Sequence, residues 1–91
     1  MRHAILEDTE MLDELKNAKK VIGLNQTIKA IEEQTAVKVF IAEDAEQKVI
    51  NQIMKHCNDF ETPVEKVESM KLLGKACGID VKAATACIIV K

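Results

Sequence analysis

Three side chains able to read a nucleobase stand close together near the start of this chain. They are Asn25, Gln26 and Lys29 in the segment Val21-Ile22-Gly23-Leu24-Asn25-Gln26-Thr27-Ile28-Lys29-Ala30-Ile31. Two apolar residues, a glycine turn and then a 3.6-residue period predict a strand that runs directly into a helix. Asn25 and Lys29 are spaced i,i+4 and share one face, with Leu24, Ile28 and Ile31 expected to face the core. A helix start carries unsatisfied N–H groups and the positive end of the dipole, which suits phosphate. Amide side chains suit adenine edges and an ammonium suits guanine. The combination points toward RNA or DNA, although an ordinary solvated helix face has the same composition.

No other group of residues reads as a reaction centre. There is no G-x-S-x-G, Walker loop or G-x-G-x-x-G, and the three glycines, Gly23, Gly74 and Gly78, are isolated. The three cysteines, Cys57, Cys77 and Cys87, are odd in number, lack C-x-x-C spacing and each sit in an apolar pattern. They are expected as buried, reduced thiols. His56 and Cys57 are adjacent and so diverge on a helix, and His3 lies near the chain start. Neither a metal site nor a cofactor is expected, and no enzyme activity.

Composition narrows the classes further. With 91 residues the chain suffices for one small domain, taken to span 1–91. Hydrophobic residues make up 47% and charged residues 31%, a soluble globular balance. No apolar run approaches the length of a membrane span, and the acidic start resembles no signal peptide, so a cytoplasmic monomer is expected. Phe40 and Phe60 are the only aromatic residues, which argues against modules that stack single-stranded bases. The net charge of −2 argues against a general duplex binder, because non-specific affinity is mostly phosphate electrostatics. Acids crowd 7–14 and 32–46. Lysines gather at Lys16, Lys19, Lys20, Lys29, Lys71 and Lys75, which favours a small structured target.

The elements that must position these residues alternate. A helix is predicted over about Thr9–Lys19, a strand over Lys20–Ile22, a helix over Asn25–Gln34 and a buried strand over Val37–Ala42. Asp44 is expected to cap the next helix, with Gln47 at the capping-box position and an apolar stripe of Val49, Ile50, Ile53, Met54 and Cys57. After a loop at Asn58–Thr62, Val64–Val67 reads as a strand. Ser69 caps a helix over Met70–Cys77 that Gly78 ends, and Ala84–Val90 reads as a central strand. Helices alternating with buried strands predict an α/β fold: a three-layer α/β/α sandwich with a small mixed four-stranded sheet.

Four segments together resemble one family. Gly23-Leu24-Asn25-Gln26-Thr27-Ile28-Lys29-Ala30-Ile31 is similar to the RNA-reading strand–helix junction of the kink-turn RNA-binding ribosomal protein superfamily. That superfamily includes the archaeal L-seven-Ae protein and small bacterial YbxF-type members. Val39-Phe40-Ile41-Ala42-Glu43-Asp44-Ala45 resembles its hydrophobic strand followed by Ala, an acid and Asp. The run from Pro63 to Ile79 resembles the following strand, loop and helix, and Ala83–Val90 resembles the closing strand. The resemblance spans roughly residues 15–90 in order and spacing, and the segment from Val67 to Gly78 points to the bacterial group.

The resemblance implies the same sandwich and a defined target, the kink-turn. This is a sharply bent RNA duplex with an internal loop and tandem sheared G·A pairs, found in ribosomal or other structured RNA. Carried over by motif, Asn25, Gln26 and Lys29 enter the major groove at those pairs, and Gly23 allows close backbone approach. Val67, Glu68, Ser69 and Met70 contact an unpaired loop nucleotide, with Val67 and Met70 offering apolar surface, and Lys71 meets phosphate. A kinked internal loop opens the A-form major groove that side chains otherwise cannot enter. The alternative function is a protein–protein adaptor of the same fold with weak or lost RNA binding.

Overall fold

Four strands and three helices alternate along the chain in the computed structural model, which describes Leu15 and residues 18–90. They are β1 (Lys20–Ile22), α1 (Leu24–Glu32), β2 (Ala36–Ala42), α2 (Gln47–Asp59), β3 (Val64–Val67), α3 (Met70–Cys77) and β4 (Thr85–Ile89). The helix expected over 9–19 lies mostly outside the described residues. Leu15 is helical and buried, whereas Ala18 and Lys19 are not helical.

The strands form one mixed sheet in the order β1-β4-β2-β3. β4 runs antiparallel to both β1 and β2, and β2 runs parallel to β3. The two strands with continuous apolar sequence, β2 and β4, are the central pair. Strands covered on both faces read as apolar runs, and alternate side chains go to opposite layers. Val39, Ile41 and Cys87 join Ala30 and Ile31 of α1 and Ile53 and Cys57 of α2 in one core layer. Phe40, Ala42, Ala86 and Ile88 face the other way, onto Leu73, Ala76 and Cys77 of α3 and onto Leu15. The three-layer sandwich expected from the pattern is therefore present.

Several details depart from expectation. α1 ends at Glu32, because Gln34 turns left-handed at φ 61° and Thr35 N–H closes onto the Ala30 carbonyl at 3.0 Å. Its fully buried face is Thr27, Ala30 and Ile31, while Leu24 and Ile28 are half-buried. β4 stops at Ile89, and Val90 beyond it is 56% exposed. Asp44 does not cap α2: that helix begins at Gln47 with Glu46 as its first cap and no side-chain capping bond.

The register decides where the site lies. Ile22 pairs with Ala86, Phe40 with Ala86 and Ala42 with Val67. The carboxyl ends of β1, β2 and β3 therefore meet along one rim of the sheet, where β4 begins. Each is followed by a helix, so all three described helices start at that rim.

Candidate nucleic-acid interface

Gly23 joins β1 to α1 with φ 105° and ψ 160°, a conformation that a residue with a Cβ adopts only under strain. No atom lies within 4 Å of where its Cβ would stand, so the backbone there is open to an approaching ligand. No side chain caps α1, and its first turn contains no acid. Its first N–H groups and dipole thus face outward uncompensated by side chains. Asn25, Gln26 and Lys29 are all exposed beside them. Lys29 has no ion-pair partner among the described residues.

The second half of the rim is the loop from β3 into α3. Ser69 Oγ accepts the Leu72 N–H at 3.1 Å, the cap expected from sequence. Asp44 Oδ1 accepts the Met70 N–H at 2.7 Å, capping the same helix from 26 residues away. Asp44 is thus a cap, as its sequence context predicts, but of α3 rather than α2. It stands at the end of β2, and parallel pairing of β2 with β3 brings it beside Met70.

Further bonds tie the two halves together. Gly23 N–H donates to the Thr85 carbonyl at 2.9 Å, and Ala83 N–H donates to the Met70 carbonyl at 3.0 Å. Ala42 N–H donates to the Ala84 carbonyl at 2.9 Å, and Glu43 N–H to the Val67 carbonyl at 2.8 Å. The start of β4 thereby braces the α1 junction against the 67–71 loop. Behind it, Thr85 Oγ1 donates to the Phe40 carbonyl at 2.7 Å in the core.

The predicted site residues thus gather on one rim, with different availabilities. Gly23, Asn25, Gln26, Lys29, Glu68 and Lys71 present backbone or side chain to solvent, and Ser69 and Met70 are half-buried. Val67 is a correction: its side chain is 2% exposed and belongs to the core, so it offers a base no apolar surface. That surface is instead available in a hollow of about 400 Å³ between the ends of β2 and β3 and the start of α2. Ile41, Ala42, Glu43, Gln47, Ile50 and Lys66 line it. Sequence reasoning assigned Ile50 only to the α2 stripe, where its i,i+3 spacing to Ile53 fits equally well.

The remaining chemistry-bearing groups are structural. Burial pushes all three thiols up, Cys87 to about 11 with Cys57 adding to the effect, so they are held protonated. His56 Nδ1 donates to the Gln52 carbonyl at 2.9 Å, and its Nε2 lies 3.3 Å from Glu32, strapping α2 to α1. Among the described residues no His, Cys, Asp or Glu cluster could hold a metal ion. None of the described helices is long and apolar enough to cross a membrane.

The sequence profile of the ribosomal protein L7Ae/L30e/S12e/Gadd45 family matches residues 9–91. The chain belongs to this family. Among its relatives is the RNA-binding protein YbxF of Geobacillus stearothermophilus, 47% identical over 75 residues, which are 82% of this chain and 92% of that protein. An RNA-binding protein of Geobacillus sp. (strain WCH70) is 45% identical over the same shares. Among solved structures, the Giardia lamblia 15.5kD RNA binding protein superposes with a TM-score of 0.83 at 27% identity. That match covers 92% of this chain and 74% of the other. All three relatives are named for RNA binding, and none is named for a reaction.

Proposed function

We propose that this L7Ae-family protein is a non-enzymatic RNA-binding module that recognises kink-turns in ribosomal or other structured RNA. It acts in the cytoplasm as a monomer, associated with the ribosome. One observation carries the reading. The uncapped α1 start, with Asn25, Gln26 and Lys29 exposed beside it, is braced by hydrogen bonds to the same rim as the 67–71 loop.

The chemistry divides along the rim. Amide and ammonium groups of α1 address the edges of sheared G·A pairs where the bend opens the groove. Lys71 and the α1 dipole meet phosphate. An unpaired base enters the hollow beside Ile50, where Glu43 and Gln47 supply acceptors for its amino group. The acids around the rim, Glu43, Glu46 and Glu68, repel phosphate and suit amino groups of bases. They restrict a long duplex and leave a bent target accessible.

The test is a titration of labelled kink-turn RNA against a control whose G·A pairs are replaced by Watson–Crick pairs. Lys29→Ala should weaken kink-turn binding by about 1–3 kcal/mol, the scale of one good base contact. Stability should change by less than about 0.5 kcal/mol, because Lys29 is exposed. The matching control is Lys55→Ala. Lys55 pairs with Asp59 on the far half of α2, whereas Lys48 stands in the first turn of α2 at the rim. Equal affinity of the Lys29 and Lys55 variants would remove the α1 junction as the reading element. Equally weak or absent binding of the two RNAs would favour the protein-adaptor alternative, and equal tight binding would remove kink-turn specificity.

A further inference from the structure

β3 is the last strand of the sheet, and no described strand pairs with its outer side. Val39 N–H donates to the Pro63 carbonyl at 2.9 Å and Glu43 N–H to the Val67 carbonyl at 2.8 Å. The odd-numbered residues of this segment thus turn their carbonyls to β2, and in a parallel ladder the residues between them turn both N–H and C=O outward. The backbone groups of Val64 and Lys66 therefore stand on an open edge, without a hydrogen-bond partner among the described residues.

The same register directs their side chains. Val64 pairs with Val39 and Lys66 with Ile41, both in the core layer of α1 and α2, so Val64 and Lys66 point to the α2 side. There Val64, Met54, Cys57 and Glu61 line a hollow of about 320 Å³ at the end of β3 away from the rim. Lys66 stands one strand repeat, about 7 Å, nearer the rim. Lys66 and Glu61 are exposed, and neither has an ion-pair partner among the described residues. One face of the open edge thus carries, in order, an unpaired cation, an apolar hollow and an unpaired anion.

A second copy of this chain does not suit that edge. Two β3 strands related by a two-fold axis pair with Glu65 opposite Glu65 or Lys66 opposite Lys66, and like charges directly opposite destabilise a sheet. A strand of different sequence meets no such conflict. We propose that the β3 edge docks an extended segment of another protein, which adds to the sheet as an antiparallel strand. It sets an acid opposite Lys66, an apolar side chain in the hollow at Val64 and a base beside Glu61. Alternate residues of a strand share a face, so the matching pattern is acid-x-apolar-x-base. Backbone bonds to Val64 and Lys66 supply affinity, and the three side chains supply specificity. This docking is independent of the RNA-binding reading.

The test titrates the full chain, without RNA, into a fluorescent seven-residue peptide. The peptide has Glu, Val and Lys at its second, fourth and sixth positions and Ser or Thr elsewhere, and anisotropy reads its binding. Methylating the backbone nitrogen of the central Val should abolish binding, because that N–H faces β3. Methylating the nitrogen of the Thr before it, which faces away, should be tolerated. Lys66→Ala and Glu61→Gln should each weaken binding about two- to fivefold, the scale of an exposed ion pair. Glu61→Gln should have no effect on a peptide with Gln in place of Lys. Lys66→Pro removes an outward N–H and leaves the ladder to β2 intact, so it should bind about tenfold more weakly than Lys66→Ala. Equal binding of the two methylated peptides, or no saturation below about 1 mM, would overturn the proposal.

Discussion

Gly74→Ala sets helix propensity against tertiary packing, and the two disagree in sign. Gly74 lies inside α3, where replacing Gly by Ala ordinarily stabilises by about 1 kcal/mol. Here the new Cβ would collide with the Val81 carbonyl oxygen and crowd the Val81 carbonyl carbon and the Ala83 nitrogen, at 3.1 and 3.3 Å. All three atoms are backbone, so no rotamer change relieves them. Overpacking of this kind costs about 1–3 kcal/mol. If the 79–83 segment lifts away instead, it forfeits the Ile79–Gly74 and Ala83–Met70 hydrogen bonds, about 1 kcal/mol each. A clash with backbone lies at the upper end of the overpacking range, so with the propensity gain subtracted either route leaves a net loss of about 1–2 kcal/mol. Urea unfolding followed by circular dichroism reads this directly. At a slope of roughly 1–3 kcal/mol per molar urea, the midpoint should fall by about 0.5–1 M. Gly78→Ala provides the comparison. Its Cβ would meet nothing within 4 Å, but its φ of 82° costs a side chain about 1–2 kcal/mol. A Gly74→Ala protein as stable as the parent, or more stable, would refute the packing argument.

Two buried threonines should respond oppositely to the same change. Thr27 Oγ1 has no hydrogen-bond partner among the described residues, so Thr27→Val should be neutral or stabilise by about 1 kcal/mol. Thr85→Val loses the bond to the Phe40 carbonyl and should destabilise by about 1 kcal/mol in the same melts. Asp44→Ala should cost about 1 kcal/mol of thermal stability and weaken RNA binding by loosening Met70, whereas Asp44→Asn, which keeps an acceptor, should recover most of both. Alkaline pH should destabilise the fold. The Cys87 thiol is held at about 11 against an ordinary 9.0, so between those values the unfolded chain has lost a proton that the folded chain retains. Stability should be intact well below pH 9 and fall by about 2 kcal/mol as pH rises to 11, with Cys57 and Cys77 adding in the same direction. A Cys87→Ala protein with the same pH slope as the parent would contradict this.

Several elements were legible in the sequence because their signals act within a few residues. β1, β3 and α3 have the bounds predicted for them. Ser69 caps the helix that follows it, and Gly78 takes the left-handed turn that ends it. The three-layer architecture follows from apolar runs that only a doubly covered strand tolerates, and Asn25, Gln26 and Lys29 are exposed as their spacing required. Other features depend on contacts between residues distant in sequence. Asp44 is a cap in either reading, and only parallel pairing of β2 with β3 assigns it to Met70. Val67 reads locally as a strand end near the interface, yet the layer formed by α3 and Leu15 buries it. The same holds for Gly74, unremarkable in a helical pattern until the Val81 carbonyl is packed against it. Caps, periods and turns are local free-energy preferences that a sequence carries openly. Which face a strand end turns inward, and which loop a capping carboxylate reaches, are set by sheet register, and register exists only once the chain has folded.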